Sequence, residues 1–417
     1  MHPKHLSIKD FTYHLPTEKI AFQPLAKRDD SKLLVYTGAS FEISNYHHIN
    51  QHLPHPALMV FNDTKVVEAR LLFKKATGAT IEIFCLEPDP SIPDIVTGMS
   101  TCGSVYWHCL IGGASKWKPG QLLECTVEYQ GVATTLQASF VEKRGDSFCV
   151  KFEWSPAHLS FAEILHACGK IPLPPYIKRT ASKEDSNRYQ TVYANTEGSV
   201  AAPTAGLHFT PELLNDLKQS GIDIAYTTLH VGAGTFKPVK AATMEAHEMH
   251  AEFIDVNRSL IEQLLENNAP LIAVGTTSMR TLESIYWIGE KLLKNPDTSH
   301  NGIALDQWVA YENNAGTSSK SDALKAILNW MDRYQTNRLL TTTQIIIAPG
   351  YSFKMLDYLV TNFHQPESTL LLLVAAFIGP RWKEVYEFAL ENEFRFLSYG
   401  DGCLFKRFDL ATTETLK

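Results

Sequence analysis

The sequence predicts an α/β protein: a domain built on a mostly parallel sheet, interrupted by an inserted β-barrel-like domain. Residues 57 to 152 read as short apolar runs divided by glycine-bearing turns, with no helical period. Beyond residue 153, strand-like and helix-like segments alternate, the pattern of a layered fold with a parallel sheet. A chain of 417 residues also exceeds what one ordinary core organises. The expected division is an α/β domain of residues 1 to 56 and 153 to 417, and a β-rich domain of residues 57 to 152.

The inserted part contains ALMVFN, TIEIFCLE, VYWHCLIG, LLECTVEY, TTLQASFVE and SFCVKFEW, with turns at Gly98, Gly103, Gly112, Gly120, Gly131 and Gly145. In the α/β part, Thr210 is a cap residue, Pro211 suits a first helical turn, Glu212 is an early acid, and Gly221 closes the helix. The strand IDIAYTTLHV follows, then a helix over 258–268, the strand PLIAVGTT, a helix over 280–289, the strand TQIIIAPG and an apolar helix from Ser368. Residues 290 to 341 are polar and predict an insertion carrying one amphipathic helix over 322–334.

Composition narrows the class. The apolar run Leu370 to Ile378 is about half of the roughly 20 residues a bilayer requires, so it predicts a buried helix and no membrane partner. The N-terminus lacks the apolar stretch of a secretory signal. Seven cysteines, odd in number and without a C-x-x-C pair, predict reduced thiols in a cytoplasmic protein. A net charge of −7 opposes a phosphate backbone, so a nucleic-acid partner needs a local basic patch. The best such patch is Lys178, Arg179, Lys183 and Arg188.

Several segments carry chemistry. Gly232 and Gly234 follow a strand in TLHVGAGTF, half of a glycine loop that lets backbone amides approach a ligand; taken alone, a plain tight turn is the better reading. His247, Glu248, His250 and Glu252 form a metal-friendly set, but the H-x-x-H spacing is not that of a helical metal pair and no third ligand stands out, so no metal is expected. Thr276, Thr277 and Ser278 lie between an apolar strand and a helix containing Arg280 and Glu283, where hydroxyls and amides either cap the helix or receive an anion. Tyr351, Asn362 and His364 fall at strand ends or beyond, where ligands of open α/β sheets collect.

Together, IPLPPYIKR, DSNRYQTVYA, GSVAAPTAGLHFTPELL, TLHVGAGTFKPV, HEMHAE, AVGTTSMRTLES, APGYSFKMLDYLVTNFHQPESTLLLLVAAFIG and RFLSYGDG resemble the S-adenosylmethionine:tRNA ribosyltransferase-isomerase family of queuosine biosynthesis. The likeness covers nearly the whole chain. It departs from the family pattern in IGGASKWKPG, in the longer 290–341 region, and in Gly402-Cys403, where the family usually has Ala-Met.

The resemblance implies an α/β domain carrying a β-barrel-like insertion. It also implies a reaction: the ribosyl unit of S-adenosylmethionine moves to the aminomethyl group of a 7-deazaguanine base in the tRNA anticodon. The sugar rearranges to an epoxycyclopentanediol, and adenine and methionine leave. S-adenosylmethionine is a co-substrate and no cofactor is needed; the expected partners are tRNA and this donor, with the protein a monomer. Such chemistry needs a base for the sugar carbon beside sulfur and an acid for departing adenine, roles suited to histidine near neutral pH. His208 and His230 rank first as bases among His208, His230, His247, His250 and His364. Asp357 and Glu283 are the carboxylates for ribose or amine contacts, and Arg280 suits the methionine carboxylate. The expected donor site adds Thr204, Gly232, Gly234, Thr235, Thr276, Thr277, Ser278, Tyr351, Asn362 and His364, and Lys178, Arg179 and Arg188 are expected to meet tRNA. The alternatives are an S-adenosylmethionine-dependent methyltransferase, suggested by VGAGTF, and a tRNA-binding protein without catalysis.

Overall fold

The computed structural model describes residues 2–75, 77–118, 120–232, 239, 241, 243–312 and 316–408. Its largest sheet has nine strands in the order Arg338–Thr343, Glu252–Asn257, Ile222–His230, Ala57–Asn62, Leu271–Val274, Tyr358–Asn362, Gly402–Lys406, Lys32–Tyr36 and Phe41–Asn45. The four strands at 222–230, 57–62, 271–274 and 358–362 run parallel, as do 402–406 and 32–36. The other four pairings are antiparallel. The sheet is therefore mixed, with a parallel centre, and not mostly parallel.

The strand Ala57–Asn62 explains why the parallel centre is internal. All six residues are buried, as a strand covered on both faces requires. Leu58 and Val60 face a core with the helices Arg258–Glu266, Thr276–Lys294, Lys320–Arg333 and Thr369–Ile378. Met59 and Phe61 face the opposite core, closed by the helix Pro211–Gln219 and Tyr46 and Ile49. This strand was expected in the inserted domain. Its uninterrupted apolar run fits a buried parallel strand better than an alternating barrel strand.

Seven further strands form a second, wholly antiparallel sheet: Gly169–Lys170, Arg70–Lys74, Thr80–Pro88, Ser104–Gly112, Ser147–Ser155, Val132–Arg144 and Leu122–Tyr129. It curls until Arg70–Lys74 approaches Leu122–Tyr129. Trp107, Phe152 and Phe161 fill the interior, and the helix Phe161–Cys168 enters it behind a capping box of Ser160 and Glu163.

The region 290–341 is not a separate appendage. Its helix Lys320–Arg333 packs Leu324, Ile327 and Trp330 into the main core, and Arg338–Thr343 is an edge strand of the large sheet. The strand expected in TQIIIAPG ends at Thr343, and Ile345 to Ile347 continue as a cavity wall. Among the described residues no helix is long and apolar enough to cross a membrane.

Candidate active site

The parallel centre sends its carboxyl ends to one edge, the usual ligand edge of such sheets. There a cleft of about 800 Å³, part of it open to solvent, is walled by Pro203, Thr204, Thr276, Thr277, Asn362 and His364. Local sequence places each group. The strand Leu271–Val274 runs into Gly275, whose φ of 93° turns the chain into the helix Thr276–Lys294. Gly275 has no side chain to cap that helix, so its first amides and the Thr277 hydroxyl meet the cleft. Asn362 ends the next strand, and Thr204 opens the short turn Thr204–His208.

A second cavity of about 1470 Å³ adjoins the first and shares Thr276, Thr277 and Leu370 with it. Its walls bring together His247, Glu248, His250, Glu252 and Arg280. Asp146, at the tip of a hairpin of the curled sheet, reaches the same cavity.

The groups around these spaces are poised for a ligand. Thr277 Oγ1 and Asn362 Oδ1 in the first cavity, and Nε and Nη2 of Arg280 in the second, are buried and have no partner among the described residues; His230 Nε2, also without one, lines neither cavity. Buried polar atoms are ordinarily satisfied, so atoms left without a partner among the described residues mark this edge as a candidate ligand site. Arg280 is 7% exposed and its Nη1 donates to Glu252. Burial lowers its pKa to about 10, which leaves it charged at neutral pH. Burial also holds His364 at about 3 and His230 at about 4, so both are neutral imidazoles. His364 Nε2 lies 2.9 Å from Thr361 Oγ1, and His230 Nδ1 lies 3.1 Å from Thr64 Oγ1.

Other expected site residues lie elsewhere. His208 is behind the cleft wall, stacked on Tyr46 at 4.1 Å between ring centroids, with Nε2 accepting from Asn362 at 3.2 Å. Ser278 donates back to the Val274 carbonyl at 2.8 Å and serves the helix. Glu283 is fully buried and accepts from Tyr351 Oη at 2.7 Å and from the amides of Lys354 and Met355, so Glu283 and Tyr351 clasp a loop away from the cleft. Asp357 precedes Tyr358–Asn362 and accepts from the amide of Leu271, which puts it at the amino edge of the sheet, opposite the cleft. Gly232 is half-buried one residue beyond Val231, which lines the cleft, and Gly234 and Thr235 lie outside the described residues.

The basic strip is also altered. Arg179 forms a two-pronged pair with Asp185 at 2.6 and 2.8 Å, and Arg188 donates to the carbonyls of Leu25 and Ala26. Arg179 Nε also donates to the Phe22 carbonyl at 3.0 Å, so both arginines fasten the N-terminal segment to the body, while Lys178 stays exposed. The ligand-type atoms of Asp89, His108 and Cys149 lie within 4.8 Å of one another, away from H-x-x-H. Arg144 already donates to Asp89 at 3.0 Å and meets His108 Nε2 at 3.1 Å, supplying the positive charge there.

Sequence reasoning missed Tyr176 and Ser398, which line the first cavity with their hydroxyl oxygens 2.5 Å apart. It also missed Glu252 as the partner of Arg280. Leu397, beside Ser398 in the same wall, has a φ of 70°, a conformation costly for a side chain of its size. Neither residue type nor spacing announces these positions.

A cleft at the carboxyl ends of parallel strands, rimmed by unsatisfied donors and acceptors, defines an α/β enzyme with a small-molecule site. The chain belongs to the family described as "Queuosine biosynthesis protein", whose model matches residues 8–405. A protein of Halothermothrix orenii named S-adenosylmethionine:tRNA ribosyltransferase-isomerase is 36% identical over 406 residues, 96% of this chain and 99% of that one. A Rickettsia bellii protein of the same name is 35% identical over 407 residues, again 96% and 99% of the two chains. A crystal structure of S-adenosylmethionine tRNA ribosyltransferase from Thermotoga maritima is 27% identical, covers 95% of this chain and 99% of its own, and gives a TM-score of 0.44.

Proposed function

We propose that this protein transfers and isomerises the ribosyl moiety of S-adenosylmethionine onto the 7-aminomethyl-7-deazaguanine base of tRNA. The products are epoxyqueuosine-tRNA, adenine and methionine. The observation that carries this reading is the full-length family match combined with the unsatisfied cleft at the strand ends. The exchange is redox-neutral, so it calls for no redox cofactor, and S-adenosylmethionine enters as a co-substrate. The acceptor places the reaction in the cytoplasm, on the anticodon region of tRNA.

Each group has a physical part. The sulfonium acidifies the neighbouring sugar carbon, and negative charge builds there as its proton leaves. The uncapped N-terminus at Thr276 and Thr277 presents the positive end of a helix dipole, which favours that charge. His230 is kept as the proposed base because it is a neutral imidazole whose Nε2 has no partner among the described residues, although its neighbour Val231, and not His230 itself, lines the cleft. Thr204, Asn362 and the Tyr176–Ser398 pair offer hydrogen bonds to ribose and purine. Exposed lysines such as Lys178 supply phosphate contacts for an acidic protein.

The test is the acceptor itself. After incubation with donor, nucleosides from tRNA carrying the aminomethyl base should gain an epoxycyclopentanediol unit. Gain of a methyl group, or no gain, contradicts the proposal.

A further inference from the structure

The two adjoining cavities differ in chemical character. Among its described lining residues, the first has no carboxylate, lysine or arginine, and its histidine, His364, is held neutral by burial. The second gathers Asp146, Glu248 and Glu252 with Arg280, and its His247 is pushed towards the neutral form by burial and by His250. Among the described lining residues, three carboxylates stand against one guanidinium, a balance that suits a ligand of net positive charge that also carries one anionic group. Arg280 is the group that would meet that anion: it is more than nine-tenths buried, held on one side by Glu252, and its Nε and Nη2 have no partner among the described residues. Nε and Nη2 form one edge of a guanidinium fork, the geometry that takes a carboxylate two-pronged.

We infer that the donor lies across both cavities: purine and ribose in the neutral one, the methionine arm in the charged one, with the free edge of Arg280 on the carboxylate. The inference rests on the donor assignment above and adds its direction. Thr276 and Thr277, common to both cavities, then flank the sugar–sulfur junction, where the proton is lost. Glu252 is a positioning residue that fixes the guanidinium plane.

The test compares two ligands by calorimetric titration: S-adenosylmethionine and its decarboxylated analogue, which keeps the purine, ribose, sulfonium and amine. Wild-type protein should bind the analogue about ten- to a hundred-fold more weakly, the range for losing a charged hydrogen-bonded pair. Arg280→Gln alone takes the guanidinium from the buried Glu252 carboxylate, so the informative variant is Arg280→Gln with Glu252→Gln, which removes both charges. It should bind the two ligands with equal affinity. Equal binding by the wild type, or undiminished discrimination in a folded double variant, overturns the proposed direction while leaving the donor assignment standing. A double variant that loses tRNA binding and keeps its discrimination also overturns it and gives the second cavity to the acceptor. Wild-type protein that binds neither ligand nor 5′-methylthioadenosine overturns the donor assignment and the direction together.

Discussion

Asn362 donates its side-chain amide to Nε2 of His208 at 3.2 Å, and its own Oδ1, in the cleft wall, has no partner among the described residues. The acceptor role of Nε2 puts the ring proton on Nδ1, beside the backbone of Arg28. His208, with the Leu397 and Asp401 carbonyls that accept from the same amide at 3.4 Å, thus fixes which end of the Asn362 carboxamide faces a ligand. Burial holds its imidazole at about 3, so it stays neutral throughout the working range. His208→Phe should lower kcat/KM roughly ten-fold or more, the cost of about one misdirected hydrogen bond, without changing the shape of its pH profile. Disappearance of a titrating limb from that profile would return His208 to the role of a base.

The neutral histidines also set acid stability. His208 and His364 are held at about 3 and His230 at about 4, all below the ordinary value of 6.5. In the unfolded chain these rings take up protons below about pH 6.5, whereas the folded ones do not. Folding stability should therefore fall as pH drops from about 6.5 towards 4, by up to about 1.4 kcal/mol per pH unit for each ring. The raised carboxyls of Asp63, Glu283 and Asp401, each lifted first by burial, act in the opposite sense below their own pKa values. A difference measurement isolates one ring: urea titrations of the wild type and His364→Asn should show a shallower pH dependence in the variant. Parallel curves would refute the neutral assignment of His364.

Arg179 and Lys178 are neighbours with different duties. Arg179 pairs with Asp185, whose carboxyl it helps hold at about 2, while Lys178 is exposed. Arg179→Ala leaves a buried carboxylate unpaired and should cost on the order of 3 kcal/mol of stability. Lys178→Ala should leave stability unchanged and weaken tRNA binding, with a lower salt dependence of about 0.7 in log affinity per log salt if the contacted strand is single. Thermal melts and filter binding at several salt concentrations separate the two. Equal stability loss in both variants would contradict the division.

Gly402 marks a departure from the family pattern that the structure explains. A Cβ at this position would fall on the buried hydroxyl of Tyr46. Gly402→Ala should destabilise the protein by roughly 1–3 kcal/mol, the usual cost of overpacking. Tyr46→Phe removes the nearest obstructing atom and should restore part of the loss in the double variant, while the Thr361 carbonyl oxygen stays 2.9 Å from the added Cβ. Additive effects in the double-mutant cycle would contradict the contact.

Much of the fold was legible because burial leaves a periodic trace. The helix Pro211–Gln219 announced itself through Thr210 and Pro211, and the apolar helix Thr369–Ile378 through its composition. The strand Glu252–Asn257 left no such trace, because long-range pairing and not local pattern decides it, and Tyr358–Asn362 showed only its carboxyl end, at Asn362. The site was legible where hydroxyls and amides follow a buried strand, as at Thr276, Thr277 and Asn362. It was illegible where placement depends on chain direction: Asp357 and Asn362 bracket one strand, yet only the latter reaches the cleft. Residue type alone could not separate a histidine facing a ligand from one stacked on Tyr46.

The central claim is that the sugar, not the methyl group, leaves the donor. Its most direct test follows the small products when the protein is incubated with S-adenosylmethionine, labelled in both the adenine and the methionine part, and tRNA bearing the aminomethyl base. Ribosyl transfer yields free adenine and free methionine in equal amounts, formed only when the tRNA is present. S-adenosylhomocysteine among the products, or an unconsumed donor, would contradict it.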